Sequence, residues 1–244
     1  MPIRHAFSSP KTDGGDPNLL QPSHWNDHHV GGDPIWTPGS DPYGLDDEFD
    51  DGTLTGWTRV DAAGAESHLT WTETADVLSA AHTTTGDPSA GMHALLKPLG
   101  RGYPTTIQTA VRYWAQLGAN YQMLGLLFTD GIIHGSGKQI IYMPYQQAGS
   151  AYITLRPYAN FTAEGQSPGN LNVGNQPALG HAMHLKLVWS AANTFDMYSS
   201  PNAVNWLNHG QRVYTMTPTH VGVLYSTWGT STPGVGTYEY FRVY

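Results

Sequence analysis

The chain has no cysteine among its 244 residues. It folds without disulfides and offers neither a thiolate metal site nor a thiol nucleophile. Charge is scarce: Asp, Glu, Lys and Arg make up 12% of the chain, and the eleven basic residues are scattered singly against nineteen acidic ones. A nucleic-acid partner needs a positive stripe to meet its phosphates, so none is expected. No apolar run approaches the ~20 residues that cross a bilayer, so no membrane span is expected. The opening Met1-Pro2-Ile3-Arg4-His5 lacks the apolar stretch of a secretory signal. Runs of Ala, Leu, Glu and Lys, which long helices need, are also missing.

What the chain does have is 28 glycines and 17 prolines, with many short runs of β-formers between them. That combination points to an all-β protein. Residues 1–45 differ from the rest. Pro2, Pro10, Pro17, Pro22, Pro34, Pro38 and Pro42, with Gly14-Gly15 and Gly31-Gly32, break any ladder or helix. The apolar residues there are too sparse for a core. The segment reads as an extended arm that gains order by docking on a neighbour. Trp25 and Trp36 argue against a floppy leader, because large aromatics seek burial.

From Asp46 onward, candidate strands follow near 66–73, 76–82, 91–97, 105–114, 120–129, 138–145, 150–157, 182–190, 193–199, 211–216, 220–227 and 237–244, after an opening stretch over 52–60. Ile107, Val111 and Tyr113 share one face of their run, as do Leu185, Leu187 and Trp189. At the end, Glu239-Phe241-Val243 opposes Tyr238-Tyr240-Arg242. Period two means one face buried and one wet. The expected fold is an all-β, two-sheet antiparallel sandwich over 46–244. Residues 118–128 are the one stretch that also reads as a short helix. Trp57, Trp71, Trp189 and Trp206, embedded in alternating runs, are expected in the core.

Two stretches resemble known families. Pro22-Ser23-His24-Trp25-Asn26-Asp27-His28-His29, preceded by Asp13-Gly14-Gly15-Asp16-Pro17, is similar to the N-terminal segment of many phage tail and virion proteins. Here Gln21 stands for the usual basic residue and His24 for the usual acidic one, while the Pro-Ser-x-Trp-Asn-x-x-His core is kept. Ser23 could cap a helical turn holding Trp25 as an anchor in a partner subunit. The resemblance implies a virion structural protein, assembled in the host cytoplasm and exposed on the particle surface. Pro22, Ser23, Trp25, Asn26, His28 and Trp36 would be its attachment residues toward other virion proteins, and homotrimers follow by analogy. The second resemblance covers 46–244. Asp46-Asp47-Glu48-Phe49-Asp50-Asp51-Gly52-Thr53-Leu54 with Trp57, Leu185–Trp189, and Phe195-Asp196-Met197-Tyr198-Ser199-Ser200-Pro201-Asn202-Ala203-Val204-Asn205-Trp206 are similar to concanavalin A-like lectin and glucanase jelly rolls. Asn202-Ala203 replaces the commoner Asp-Gly turn. This resemblance implies a jelly roll, with carbohydrate contact as a common use of the fold.

Glycosidases need two carboxylates across the scissile bond. The Glu-x-Asp-x-x-Glu signature is absent, and the chain has only five glutamates: Glu48, Glu66, Glu73, Glu164 and Glu239. Glu73 and Asp76, three apart, fall on opposite faces of a strand. The expectation is therefore a protein that is not an enzyme, with a glycan-degrading enzyme kept as the third reading. No cofactor is expected. The cluster Asp46, Asp47, Glu48, Asp50, Asp51 could hold Ca²⁺, though without loop-site spacing; the plainer reading is a solvated strand entry. His24, His28 and His29 read as polar docking contacts rather than metal ligands. Among twelve histidines no Ser-His-Asp order stands out.

Aromatic surface remains. Tyr113, Trp114, Tyr121, Tyr142, Tyr145, Tyr152, Tyr158 and Trp228 are candidates for exposure. Asn120, Gln139, Arg156 and Asn160 lie near them to satisfy sugar hydroxyls. Trp114, Asn120, Tyr121, Tyr145, Arg156, Tyr158 and Trp228 are the expected ligand-binding set. Subunit interfaces are equally rich in Tyr and Trp, so two readings stand open: a tail protein binding host-surface polysaccharide, or a capsid decoration or head-fibre subunit.

Overall fold

A computed structural model describes residues 44–61, 69–74, 76–82, 92–113, 121–131, 138–147, 150–158, 181–228 and 235–244. The chain divides into two units, Met1–Pro42 and Tyr43–Tyr244. The attachment residues Pro22, Ser23, Trp25, Asn26, His28 and Trp36 lie outside the described residues, as do Trp114 and Asn120.

Thirteen strands are described: β1 (Thr58–Asp61), β2 (Leu69–Thr74), β3 (Val77–His82), β4 (Met92–Pro98), β5 (Thr105–Tyr113), β6 (Tyr121–Thr129), β7 (Gln139–Gln147), β8 (Ser150–Tyr158), β9 (Met183–Ala191), β10 (Thr194–Ser200), β11 (Leu207–Val213), β12 (His220–Trp228) and β13 (Val235–Val243). One sheet has six strands in the order β1-β4-β12-β6-β7-β8, the other seven in the order β11-β10-β9-β5-β13-β3-β2. All the pairings are antiparallel. The sandwich expected from the alternation is present. Residues 121–129 form a strand rather than the alternative helix, because the stretch pairs along its whole length with β12.

The core lies between the sheets. Phe49, Leu78, Leu95, Ile107, Leu126, Phe128, Leu187, Phe195, Val223, Tyr225 and Phe241 are all buried in it. The strictly alternating β9 shows why: Met183, Leu185, Leu187 and Trp189 are buried while His184, Lys186 and Val188 are partly exposed. Tyr238 crosses this core. It comes from the seven-stranded sheet, donates its hydroxyl proton to the Leu224 carbonyl and accepts the Gly125 N–H at 3.0 Å. One buried hydroxyl thus satisfies backbone groups of two strands in the opposite sheet.

Three sequence expectations are corrected. The strand expected at 211–216 runs from Leu207 to Val213, because its pairing with β10 begins at Ser199↔Leu207 and carries a bulge. Trp206 is not in the core; it is half-buried, with the Lys186 ammonium 4.1 Å from its ring centroid. In β13 a bulge between Tyr238 and Phe241 resets the alternation. Tyr238 joins Phe241 and Val243 in the core, and Glu239 and Tyr240 pair with polar groups on the other face.

The acidic entry segment is stitched to the C-terminal strand. Asp47 and Phe241 exchange backbone hydrogen bonds of 2.7 and 2.6 Å. Asp46 Oδ1 accepts the Val243 N–H at 2.7 Å, and Glu48 receives a two-pronged contact from Arg242 at 2.8 and 3.1 Å. Leu45 and Phe49 are buried between these polar contacts.

Candidate functional site

The topology brings five of the seven expected ligand-binding residues to the six-stranded sheet. Trp228 on β12 pairs directly with Tyr121 on β6, and Tyr121 with Gln147 on β7. Tyr145 on β7 pairs with Tyr152 on β8, Arg156 with Ile141, and Tyr158 with Gln139. Two expectations on this sheet are corrected: Tyr142 and Gln139 are fully buried. Tyr142 has the parity of the core residue Ile140.

The described part of the face opposite the core on this sheet is mostly apolar, with Thr129, Gln139 and Ser226 as buried polar members. Ala94, Leu96, Leu127, Ile141, Met143 and Leu224 alternate with the core residues and are themselves buried. Gly222 sits among them where an added Cβ would lie 1.9 Å from the Leu95 carbonyl oxygen.

The outer face of the seven-stranded sheet has the opposite character, and sequence reading missed it. The β13 bulge presents Tyr240 there. Its hydroxyl accepts the Gln108 amide N–H at 2.9 Å and lies 2.9 Å from His184 Nδ1. The Arg242 guanidinium stacks on its ring at 4.4 Å, and Arg112 pairs with Glu239. Burial pushes the Tyr240 phenol up to about 12, so it stays protonated. Burial holds the His184 imidazole below its ordinary value; the Glu239 charge opposes that and the Arg242 charge adds to it. Further along the face Lys186 lies between the rings of Tyr198 and Trp206, at 4.7 and 4.1 Å. A bulge pattern, invisible to a period-two reading, is the signal that sets this cluster.

A carboxyl pair stands at the other edge of the same sheet. Glu73, on the outermost strand β2, turns toward the core and is buried. Its Oε1 accepts the backbone N–H groups of Asp51 and Gly52 at 3.2 and 2.9 Å, while its buried Oε2 has no hydrogen-bond partner. Burial raises the Glu73 pKa; the Asp47 charge and contacts with Asp51 raise it further, against the opposing Gly52 N–H. Asp51 moves the other way, lowered by hydrogen bonds from the Thr53 backbone and side chain. Asp47 Oδ2 accepts the Trp57 indole N–H at 2.6 Å, and Lys97 lies 4.7 Å above that indole. The result is a carboxyl whose pKa is pushed up beside one whose pKa is pushed down, with the Trp57 indole nearby. Environments that drive two carboxyls apart are those that allow one to act as acid and the other as base.

The carboxylates weighed for Ca²⁺ go to separate partners. Asp46 binds a backbone N–H, Asp47 binds Trp57 and Lys97, Glu48 binds Arg242 and Asp51 binds Thr53. Among the described residues no group of three or more His, Asp or Glu side chains is arranged to hold a metal ion. No described helix is long and apolar enough to cross a membrane.

No protein-family model matches the chain, and no curated protein matches it in sequence. Solved structures do match in fold. A GH43 protein, BlXynB, from Bacillus licheniformis superposes with a TM-score of 0.57 at 14% identity over 89% of this chain and 41% of its own. A native glycosidic hydrolase gives 0.55 at 15% identity, over 82% of this chain and 94% of its own. The mixed-linkage glucan GH16 protein of Bacteroides ovatus, solved in complex with product, gives 0.52 at 9% identity, over 82% and 99%. The chain spans about two fifths of BlXynB and of the GH43B protein of Bacteroides ovatus, 41% in each case. At these identities the likeness establishes the fold: a jelly-roll β-sandwich of the kind found in glycoside hydrolases.

The expectation that the chain is not an enzyme is overturned by these likenesses. Chains described as glycoside hydrolases share the architecture over 94 to 99% of their length. That expectation rested on the missing signature, the scarcity of glutamates and the opposite facing of Glu73 and Asp76. In the structure, Glu73 on β2 instead meets the 50–52 loop, a segment more than twenty residues away in sequence.

Proposed function

We propose that this chain degrades glycans: its sandwich engages a polysaccharide and the Glu73–Asp51 pair cleaves it. The carrying observation is that pair, a buried carboxyl with a raised pKa and one unpartnered oxygen beside an exposed one with a lowered pKa. Glu73, whose protonated form burial favours, acts as the acid toward the glycosidic oxygen. Asp51 stays charged and either activates water or stabilises the cationic sugar. The test is release of reducing ends from a panel of bacterial polysaccharides by the purified chain. Glu73→Gln is expected to lose at least about 100-fold in cleavage while still binding the glycan. Wild-type protein that binds a polysaccharide without shortening it, or a Glu73→Gln variant as fast as wild type, ends this reading.

A second reading concerns where the chain works, and the Pro22-Ser23-x-Trp25-Asn26-x-x-His28 segment favours it. The arm over 1–45 fastens the sandwich to other virion proteins as a homotrimer exposed on the particle, so that the glycan is host-surface polysaccharide. Many copies make weak single sites effective through avidity. Removing residues 1–45 is expected to leave a soluble sandwich that no longer joins particles. Particles that incorporate the truncated chain at wild-type level would end this second reading alone.

A further inference from the structure

The edge hairpin β10–β11 carries a second chemical constellation. Asp196 pairs with Gln211 and Tyr198 with Asn208, so β11 holds one residue more than β10 between them. The extra residue is accommodated at His209–Gly210, where Gly210 has φ +99° and its N–H meets Asn208 Oδ1 at 2.6 Å. A side chain rarely tolerates that backbone, and glycine does. The bulge turns His209 inward to 9% exposure, while Asn208 and Gly210 on either side stay exposed.

Inside, His209 Nε2 lies 2.7 Å from Ser199 Oγ, and His209 Nδ1 is buried without a partner. Tyr142 reaches across from the six-stranded sheet, its ring 6.3 Å from the imidazole. Its hydroxyl is buried beside Ser199 without a well-formed hydrogen bond. Two buried polar atoms are thus unsatisfied around one hydrogen-bonded Ser–His pair. A purely structural core would be expected to pair or eliminate such groups.

We propose that Ser199, His209 and Tyr142 form an ester-cleaving site that acts on small acyl esters, such as O-acetyl groups carried by a polysaccharide. Ser199 Oγ attacks the acyl carbon and passes its proton to His209 Nε2. The Tyr142 O–H donates to the oxygen that becomes negative. The bond to the alcohol oxygen breaks, and the imidazolium returns the proton to that leaving oxygen. Water then adds to the acyl-serine with the same base, releasing the carboxylic acid and restoring Ser199. Burial supports these roles, keeping the imidazole neutral and the phenol protonated. His209 stands on the edge strand β11, whose Leu207 and Val213 are exposed, while Ser199 and Tyr142 are buried beside it. Only the choice of a glycan as acyl carrier rests on the glycan-degrading reading; the ester chemistry is independent of Glu73.

The full chain is incubated with a fluorophosphonate and, separately, with p-nitrophenyl acetate. A phosphonyl adduct on Ser199, located by mass spectrometry, is expected, with hydrolysis falling at least 100-fold in Ser199→Ala. Tyr142→Phe is expected to lower kcat about tenfold with KM unchanged, and Glu73→Gln to leave ester hydrolysis at the wild-type rate. Absence of the Ser199 adduct in folded wild-type protein overturns the proposal without depending on how any variant folds. Hydrolysis that survives Ser199→Ala overturns it as well. Acetate release from an acetylated polysaccharide supports the glycan as carrier. Its absence alongside p-nitrophenyl acetate hydrolysis overturns that carrier alone.

Discussion

The two sheets of this sandwich share one core and differ on their other faces. On the six-stranded sheet the described residues opposite the core include Ala94, Leu96, Leu127, Ile141, Met143 and Leu224, all buried, with Thr129, Gln139 and Ser226 as the buried polar members. On the seven-stranded sheet they are Gln108, Arg112, His184, Lys186, Tyr240 and Arg242, joined by hydrogen bonds, ion pairs and cation–ring stacking. Strand alternation alone makes a sheet amphipathic; it does not say what the second face carries. Near-continuous apolar runs such as Leu124–Phe128 mark the sheet whose strands are apolar on both sides. Cleanly alternating runs such as 183–190 mark the other.

The sharpest way to break this contrast is to place charge on each face in turn. Leu127→Lys buries an unpaired ammonium in the apolar face and is expected to cost ~4 kcal/mol or more, enough to prevent soluble expression. Gln108→Lys on the polar face is expected to leave a folded protein, although it loses the contact with Tyr240. Gly222→Ala comes next: its Cβ would meet the Leu95 carbonyl oxygen, which belongs to backbone and cannot rotate away. A loss of about 3 kcal/mol in chemical denaturation is expected, and an unchanged midpoint would refute the close approach of β4 and β12.

Smaller effects sharpen the comparison. Tyr240→Phe removes one hydroxyl from between Gln108 and His184 and is expected to cost about 1–2 kcal/mol by the same measurement. His184, partly buried, and His209, buried, both have pKa values held below the ordinary 6.5 by desolvation. The unfolded chain therefore binds more protons than the folded one as pH falls through that value, and stability present above pH 6.5 is lost on acidification. His184→Gln is expected to flatten this decline in melting temperature between pH 7 and 5, with the neighbouring Glu239, Arg242 and Tyr240 unchanged. The smallest effect concerns Glu73. Its raised pKa means that ionisation at neutral pH works against folding, so Glu73→Gln is expected to raise the melting temperature by roughly 2 °C at pH 7 and less at pH 4.

Much of the fold was legible in the sequence, and the reason is local. Alternation in 183–190 and 105–113, with Gly- and Pro-rich breaks, marks strands whatever they later pair with. The failures have a common cause. The β13 bulge at Glu239–Tyr240 and the β11 bulge at His209–Gly210 each add one residue against a partner strand. A single strand carries no record of its partner's register. The reading thus put Tyr238 and Glu239 on the wrong faces, placed β11 four residues late and left Ser199 and His209 unconnected. Tyr142 and Gln139 were expected at the surface because aromatic and amide side chains are common there, whereas the sheet they sit in is buried on both sides.

Composition and periodicity by themselves determined an all-β chain, without thiol chemistry, whose strands would stack as two sheets. Residue spacing along one strand is a property of that strand, so it can be read before folding. Which residues meet is a property of pairs. Asp51 comes to Glu73 across more than twenty residues, Glu48 to Arg242 across nearly the whole sandwich, and Tyr142 to Ser199 across the core between opposite sheets. Strand order, register and two single-residue bulges set those meetings, and only the tertiary structure fixes them, because each is decided by packing and pairing between segments far apart in sequence.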